Sequence, residues 1–355
     1  MCESRKGSKQ QEDLEMIAQS AVEFENYRGK TVFVTGATGL VGSLLVKAFL
    51  CVNRLKDCDI RVVAAVRNRK KAENIYGKLL ERKDLKLYIG DVAEPTDYEG
   101  TVDYIFHTAS VTASKTMVEH PVLTIETAYQ GTRNMLEFAR EKQVSGMVYV
   151  SSMEVYGRPD ASSESVKEAD LGYVDLANVR SGYPEGKRIC ECLCNAYAAE
   201  YQLPVRSARL AQTFGAGVLE SDNRVYAQFA RSAMEGQDIV LHTDGTSEGN
   251  YCYTRDVIKA LLILGYKGEN GGAYNVVNEH THMQIREMAA LVSEKIAKGK
   301  IKVVFDIPES ALKYGYAPSV KMKLSNAKMC ALGWAPEVDL PEMYERMMAD
   351  MSMGE

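Results

Sequence analysis

A chain of 355 residues with a formal charge of −5 and nearly half its residues apolar can bury a large core, and it lacks the basic excess of a nucleic-acid surface. No apolar run is long enough to span a bilayer, and Met1 to Asp13 lack the apolar centre of a secretion signal, so no membrane partner and a cytoplasmic location are expected. The eight cysteines then read as reduced thiols. Cys190, Cys192 and Cys194, two apart on a helix, face different ways without a nearby histidine, and no metal site is expected.

Residues 1–28 hold a charged amphipathic piece, Asp13 to Ala18, expected as an N-terminal helical extension lying on the body of the protein. Next comes Lys30-Thr-Val-Phe-Val-Thr-Gly-Ala-Thr-Gly-Leu-Val-Gly42, a β-branched run that enters three glycines and then the apolar periodicity of Leu44, Leu45, Ala48 and Phe49. That order predicts strand, tight turn and helix around a dinucleotide. Gly36 suits the turn, Gly39 lets a pyrophosphate approach the main chain, and Gly42 lets helix and strand pack closely. Thr38, Leu40 and Val41 complete the expected cofactor contacts, since the helix start presents free N–H donors to phosphate. The second strand, Ile60 to Val66, is followed by Arg67-Asn68-Arg69 and not by the acidic residue that binds a ribose 2′-hydroxyl. Arginine suits a 2′-phosphate but can also stack on adenine, so either NAD or NADP is the expected cofactor.

Further strands are predicted at Leu85–Ile89, Val102–Phe106, Gly146–Val150 and Pro204–Leu210, with helices around Ile125 to Lys142 and from Pro184. Strand and helix alternating at this spacing predict an α/β fold with a doubly wound parallel, Rossmann-like sheet. From Phe214 the pattern loosens. A helix is expected at Val225–Met234, a strand at Asp238–His242, a helix at Asp256–Tyr266, a last core strand at Ala273–Asn278, and helices at Met283–Lys298 and beyond Ser325. The corresponding division is a dinucleotide-binding domain over 29–213, to which 250–278 returns, and a smaller C-terminal substrate-binding lobe from 214–249 and 279–355.

Tyr183-Pro-Glu-Gly-Lys187 puts a phenol and an ammonium on one helix face, with Pro184 tolerated in the first turn. A cation beside a phenol favours the phenolate and is expected to bring its pKa down from about 10. Tyr183 could then take a proton from a hydroxyl, and Lys187 could also reach a nicotinamide ribose. The fifth strand runs directly into Ser151-Ser-Met-Glu-Val-Tyr-Gly157, at the carboxyl end where ligands bind in this architecture.

Together these motifs resemble the NAD-dependent epimerase/dehydratase family of extended short-chain dehydrogenases, over nearly the whole chain from Lys30. The resemblance implies Ser152, Tyr183 and Lys187 as catalytic residues, with Glu154 as a further acid or base. It places Asp91 and Val92 against the adenine end of the cofactor, and Thr108, Ala109 and Ser110 beside it. Gln212 stands where relatives carry an Asn that touches the sugar-nucleotide phosphates, and Arg224 lies in a loop whose Arg can pair with a diphosphate. The plain alternative for Arg224 is a solvated charge at a helix start. Gly249 replaces a diphosphate-binding Arg of many relatives, leaving Arg255 as the nearby candidate; Ala128 replaces a helix Asn of the proton relay. Met153 replaces the Asp that dehydratases use as an acid.

The implied function is modification of a nucleotide-sugar substrate through a transient 4-keto sugar: epimerisation, dehydration or decarboxylation, with the last two separated by Met153 and Glu154. Alternatives are an NADP-dependent reductase of a small carbonyl compound and a cofactor-binding regulator without catalysis. A homodimer is expected, because relatives pair through the helices over 124–142 and 184–201, where Met135, Leu136, Phe138, Leu193, Ala196 and Tyr197 suggest a second apolar face.

Overall fold

Runs of Val, Ile, Phe and Ala buried along their whole length form strands only where both sheet faces are covered, and the first such run, β1 (Thr31–Thr35), is buried at every position. In the computed structural model, which describes residues 2–160, 162–219, 221–307 and 320–353, the chain opens with α1 (Lys9–Gln19) and then alternates. After β1 come α2 (Leu40–Lys56), β2 (Arg61–Val66), α3 (Arg69–Tyr76), β3 (Leu85–Ile89), β4 (Tyr104–His107), α4 (Ser114–Glu119) and α5 (Pro121–Lys142). β5 (Gly146–Ser152), α6 (Gly182–Tyr201) and β6 (Val205–Leu210) follow. The second half contains β7 (Gln212–Phe214), α7 (Val225–Glu235), β8 (Ile239–Leu241), β9 (Glu248–Tyr253), α8 (Thr254–Tyr266), β10 (Ala273–Val276), β11 (Asn278–Gln284), α9 (Ile285–Leu291), β12 (Val303–Phe305), α10 (Ala327–Cys330) and α11 (Leu340–Ser352).

Seven strands form one sheet in the order β3-β2-β1-β4-β5-β6-β10, every neighbouring pair parallel. The order reverses between β1 and β4, which opens a crevice at their carboxyl ends. On one face α2 and α8 pack through Leu45, Phe49, Leu261 and Leu262 around the buried Tyr27; on the other, Leu136, Phe138 and Cys194 of α5 and α6 cover Phe33 and Met147. The α/β sheet expected from the alternation is present, with β5 running two residues further than anticipated, to Ser152.

Two smaller sheets, β11-β9-β7 and β12-β8, stand apart from the large one. Phe214 stacks on Tyr226 at 4.4 Å and joins Tyr251, Met288 and Tyr344 in a second core. Of the 250–278 stretch, α8 and β10 pack with the large sheet, whereas Asn250–Tyr253 lies in β9, hydrogen-bonded to β7 and β11.

The face of α5 and α6 also differs from expectation. Met135, Leu136, Phe138 and Tyr197 are buried within the chain's own core, Leu193 is partly buried, and only Ala196 is exposed. The exposed apolar side chains on these helices are instead Val122, Leu123, Ile125, Tyr129, Ile189 and Tyr201. The reason is packing: the residues chosen from periodicity are those that meet the sheet.

Residues before β1 are built into the body. Ser8 caps α1 by accepting from the Gln11 N–H at 3.1 Å, and Asp13, one turn in, is buried. Its carboxylate accepts from Tyr253 Oη (2.5 Å), Arg255 Nη1 (3.2 Å) and Arg346 Nη2 (2.8 Å), joining α1 to β9, α8 and α11. Removing one partner of a buried ion cluster strands the other charges away from water. Asp13→Ala is therefore expected to lower unfolding free energy by about 3–5 kcal/mol, measured by urea denaturation. A loss below about 1 kcal/mol would mean that the cluster is not what holds α1 in place.

Candidate active site

The glycine turn has the close approaches that its spacing demands. Gly36 has φ of +61°, and a Cβ there would lie 2.7 Å from the Ala109 nitrogen and 2.9 Å from Thr108 Oγ1. A Cβ on Gly42 would overlap the Gly36 carbonyl oxygen and sit 2.8 Å from Thr108 Oγ1. Side chains at either position would fill the cradle between β1 and β4. Thr108 Oγ1 donates to the Thr35 carbonyl (2.7 Å) and the Ala109 N–H donates to Thr35 Oγ1 (3.2 Å), so Thr108 and Ala109 are pinned against the turn, with Ser110 the next residue along. Gly39 is the N-cap of α2 and brings no side-chain cap, which leaves the N–H groups at Leu40 and Val41 for a phosphate. Thr38 lies half-buried within this turn, and Tyr76 Oη braces it by donating to the Ala37 carbonyl at 2.5 Å.

Next to the turn, Arg67 is exposed beyond β2 and its Nη1 lies 3.5 Å from Asp91 Oδ2 beyond β3. Asp91 also accepts from the Ala93 N–H at 3.0 Å. The Val92 carbonyl accepts from Asn134 Nδ2 at 3.0 Å, and its side chain lies against Gly131. The free helix start, the glycine cradle and these strand-end groups fit a dinucleotide.

Where β5 ends, Ser152 Oγ accepts from the Glu154 N–H at 3.2 Å and faces the phenol of Tyr183, which is buried in the first turn of α6. Lys187, one turn on, donates from Nζ to the Val150 carbonyl at 2.8 Å, and lies 4.8 Å from the Tyr149 ring centroid and 5.8 Å from that of Tyr183. The four residues expected to carry the chemistry thus meet at one sheet end. Their electrostatics differ from expectation. Burial pushes the Tyr183 phenol up to about 12 and Glu154 adds to the rise; the Ser152 hydroxyl, Arg180 and Arg224 oppose it. Burial also pulls the Lys187 ammonium down to about 8. Lys187 is directed at a main-chain carbonyl and the ring faces, so the desolvation of the phenol dominates. His107, held between Thr35 Oγ1 (2.8 Å) and Thr132 Oγ1 (3.3 Å), is driven to about 3 by burial and stays neutral.

The residue that sequence reasoning missed is Arg180. It sits in the short turn Val179–Ser181 before α6 and grips Glu154 with two bonds, Nη1 to Oε2 at 2.7 Å and Nη2 to Oε1 at 3.1 Å. An arginine three residues before a candidate catalytic tyrosine was the available signal. Arg224 does come within electrostatic reach of Tyr183, but its guanidinium is clamped by Asp222 through Nε (3.0 Å) and Nη2 (2.5 Å). Gln212 starts β7, half-buried and paired with Tyr251 of β9.

Arg255 does not belong to this group. It is buried in the first turn of α8, against Asp13 of α1 and Glu337, with its guanidinium 5.8 Å from the ring centroid of Tyr253 in β9. Its expected substrate role is replaced by a structural one. Ala128 offers only a methyl group near Gly186, and Gly249 lies in β9 with nothing within 4 Å of where a Cβ would stand.

Residues 32–278 match the model of the NAD dependent epimerase/dehydratase family. UDP-glucuronic acid decarboxylase 6 of Arabidopsis thaliana is 31% identical over 324 residues, covering 91% of this chain and 89% of the plant enzyme. The structure superposes on an epimerase of Methanothermobacter thermautotrophicus with a TM-score of 0.77 at 25% identity, covering 96% of each chain. It shares the fold of UDP-glucuronic acid 4-epimerase from Bacillus cereus, with a TM-score of 0.74 at 18% identity and coverage of 92% and 100%. With the glycine cradle and the Ser152, Tyr183 and Lys187 cluster on one sheet end, and a family match spanning more than half of its length, the chain belongs to the NAD-dependent epimerase/dehydratase family.

Proposed function

We propose that the protein modifies a nucleotide-linked sugar acid through transient oxidation at C4, followed by decarboxylation or epimerisation. The observation that carries this reading is the junction of β5 and α6, where Ser152, Glu154, Tyr183 and Lys187 converge. Tyr183 Oη takes the proton of the C4 hydroxyl while Ser152 hydrogen-bonds the same oxygen. Lys187, held by the Val150 carbonyl, orients the cofactor ribose. Hydride acceptance and return is the chemistry that NAD supplies when bound along the glycine turn and Thr108 to Ser110. A C4 ketone is what makes a C5 carboxylate able to leave as carbon dioxide, or a C5 hydrogen acidic.

The second step is favoured by what flanks Ser152. Met153 has no proton to give, so loss of water lacks its acid, whereas Glu154 is a carboxylate positioned near the phenol. The curated relatives named as UDP-glucuronic acid decarboxylases support the same choice. Incubating the protein and NAD separately with UDP-glucuronate, UDP-glucose and dTDP-glucose tests it by product mass. Loss of carbon dioxide, or unchanged mass with inverted stereochemistry, is expected from the uronate; loss of water from a hexose would refute it.

Tyr183→Phe keeps the ring and removes the proton acceptor. Turnover is expected to fall by at least about 100-fold, with NAD affinity changed by no more than a few-fold. Activity close to wild type would remove Tyr183 from the mechanism.

We also infer a homodimer through α5 and α6, because Val122, Leu123, Ile125, Tyr129 and Ile189 leave an apolar strip on neighbouring helices. Light scattering at micromolar concentration should give twice the 39.4 kDa chain mass, and Ile125→Arg should return the single-chain value. A wild-type monomer would count against this face as the interface.

A further inference from the structure

We propose that Arg180 is a positioning residue of the reaction: its guanidinium fork fixes the Glu154 carboxylate beside Tyr183 and cancels, at the phenol, the charge that this carboxylate imposes. The inference rests on the reading of Tyr183 as the proton acceptor and adds a residue to it that the family resemblance did not supply.

Two demands on this site conflict without such a residue. Tyr183 must lose a proton, and a negative charge nearby makes that harder; Glu154 must stay in the site as a carboxylate if it is to handle a proton of its own. The groups that face the phenol are Ser152, Glu154 and Tyr149 from β5 and its end, Lys187 from α6, Arg224 ahead of α7, and Arg180. Arg224 is bound to Asp222 and Lys187 to the Val150 carbonyl, so Arg180 is the cation that engages Glu154 itself. Both partners are only about a quarter exposed (21% and 25%), where the two parallel bonds are screened less than at an open surface.

The chain holds Arg180 in place independently of Glu154. Asn178 Oδ1 accepts from the Arg180 N–H at 3.0 Å, and Ser181 Oγ donates to the Asp175 carbonyl at 2.6 Å, so the turn is fixed before α6 begins. Tyr183 follows three residues later. One short turn thereby sets the distance between the cation and the phenol, while its fork sets the orientation of the carboxylate. Lysine could match the charge but not the paired geometry.

The test reads the phenol directly. The NAD-loaded protein is titrated by ultraviolet difference absorbance as wild type, Arg180→Gln, Glu154→Gln and the double variant. Each is measured against the same background carrying Tyr183→Phe, so that the other tyrosines subtract. Arg180→Gln should move the Tyr183 midpoint to higher pH and Glu154→Gln to lower pH, each by about one unit or more, and the double variant should fall near wild type. Arg180→Lys keeps the charge and serves if Arg180→Gln fails to fold. Its midpoint should lie near wild type, while turnover on any sugar that wild type converts should fall by about 10-fold or more. Four identical midpoints would overturn the proposal, as would full turnover by Arg180→Lys. An ordered set of midpoints in a protein that converts none of the offered sugars would instead overturn the substrate reading and leave the role of Arg180 standing.

Discussion

Glu191 and Arg209 form a largely buried ion pair beside the strand end and helix that carry Ser152, Tyr183 and Lys187, and the geometry of that cluster depends on it. Arg209 Nε and Nη2 approach the Glu191 carboxylate at 3.0 and 2.7 Å, and Ser151 Oγ donates to the same carboxylate at 2.5 Å. The other arm of Arg209 donates to Tyr156 Oη (2.9 Å) and the Glu168 carbonyl (2.7 Å), and Tyr156 donates to Asn275 Oδ1 (2.7 Å). Burying two charges is costly unless such partners meet them. Here they link α6, β5, β6, β10 and the loop after β5 at one point. Arg209 pairs with Ser151 across the sheet, so Ser152 is the next residue along a strand end that cannot shift. Glu191 lies one turn beyond Lys187, which puts the helix carrying Tyr183 under the same restraint.

The parts of this arrangement visible in the sequence were those governed by local backbone chemistry. Three glycines between a β-branched run and an apolar helix can be read because turn conformation and close packing are decided within a few residues, and Gly36 and Gly42 meet those constraints. Tyr183 and Lys187 were legible for the same reason, since four residues is one helical turn. Other features required knowing what lies opposite. Arg255 reads as a cation near the substrate lobe until α1 folds against it. Met135 and Phe138 read as a second apolar face until the sheet covers them. Arg180 becomes meaningful only once the end of β5 approaches the start of α6 and Glu154 enters its reach. The rise in the Tyr183 pKa has the same origin, because burial is a property of the assembled lobe walls.

A pattern links the cationic groups of the cleft. Arg180 is held by Glu154, Arg224 by Asp222 and Arg67 by Asp91, so each arginine carries an internal carboxylate. A long side chain tethered in this way has already lost much of its rotamer freedom before a ligand arrives. An anion approaching Arg224 or Arg67 would compete with that carboxylate for a cation that is already oriented, whereas at Arg180 the carboxylate is the group held.

The Asp13 cluster has a consequence for how the polypeptide is made. Its carboxylate belongs to the first helix but finds its partners at Tyr253, Arg255 and Arg346, and the Gln10 N–H reaches Asp350 Oδ1 at 3.2 Å. During synthesis α1 emerges more than three hundred residues before α11 exists to receive it. The large sheet can assemble strand by strand meanwhile with α1 already on α2, where Arg54 pairs with Glu15 at 2.8 Å and Lys47 donates to Gln10 at 2.9 Å, while the Asp13 carboxylate still lacks its later partners. Packing of α1 on α2 is thus an early event, and completion of the Asp13 cluster, which joins the first helix to the second half of the chain, is a later one.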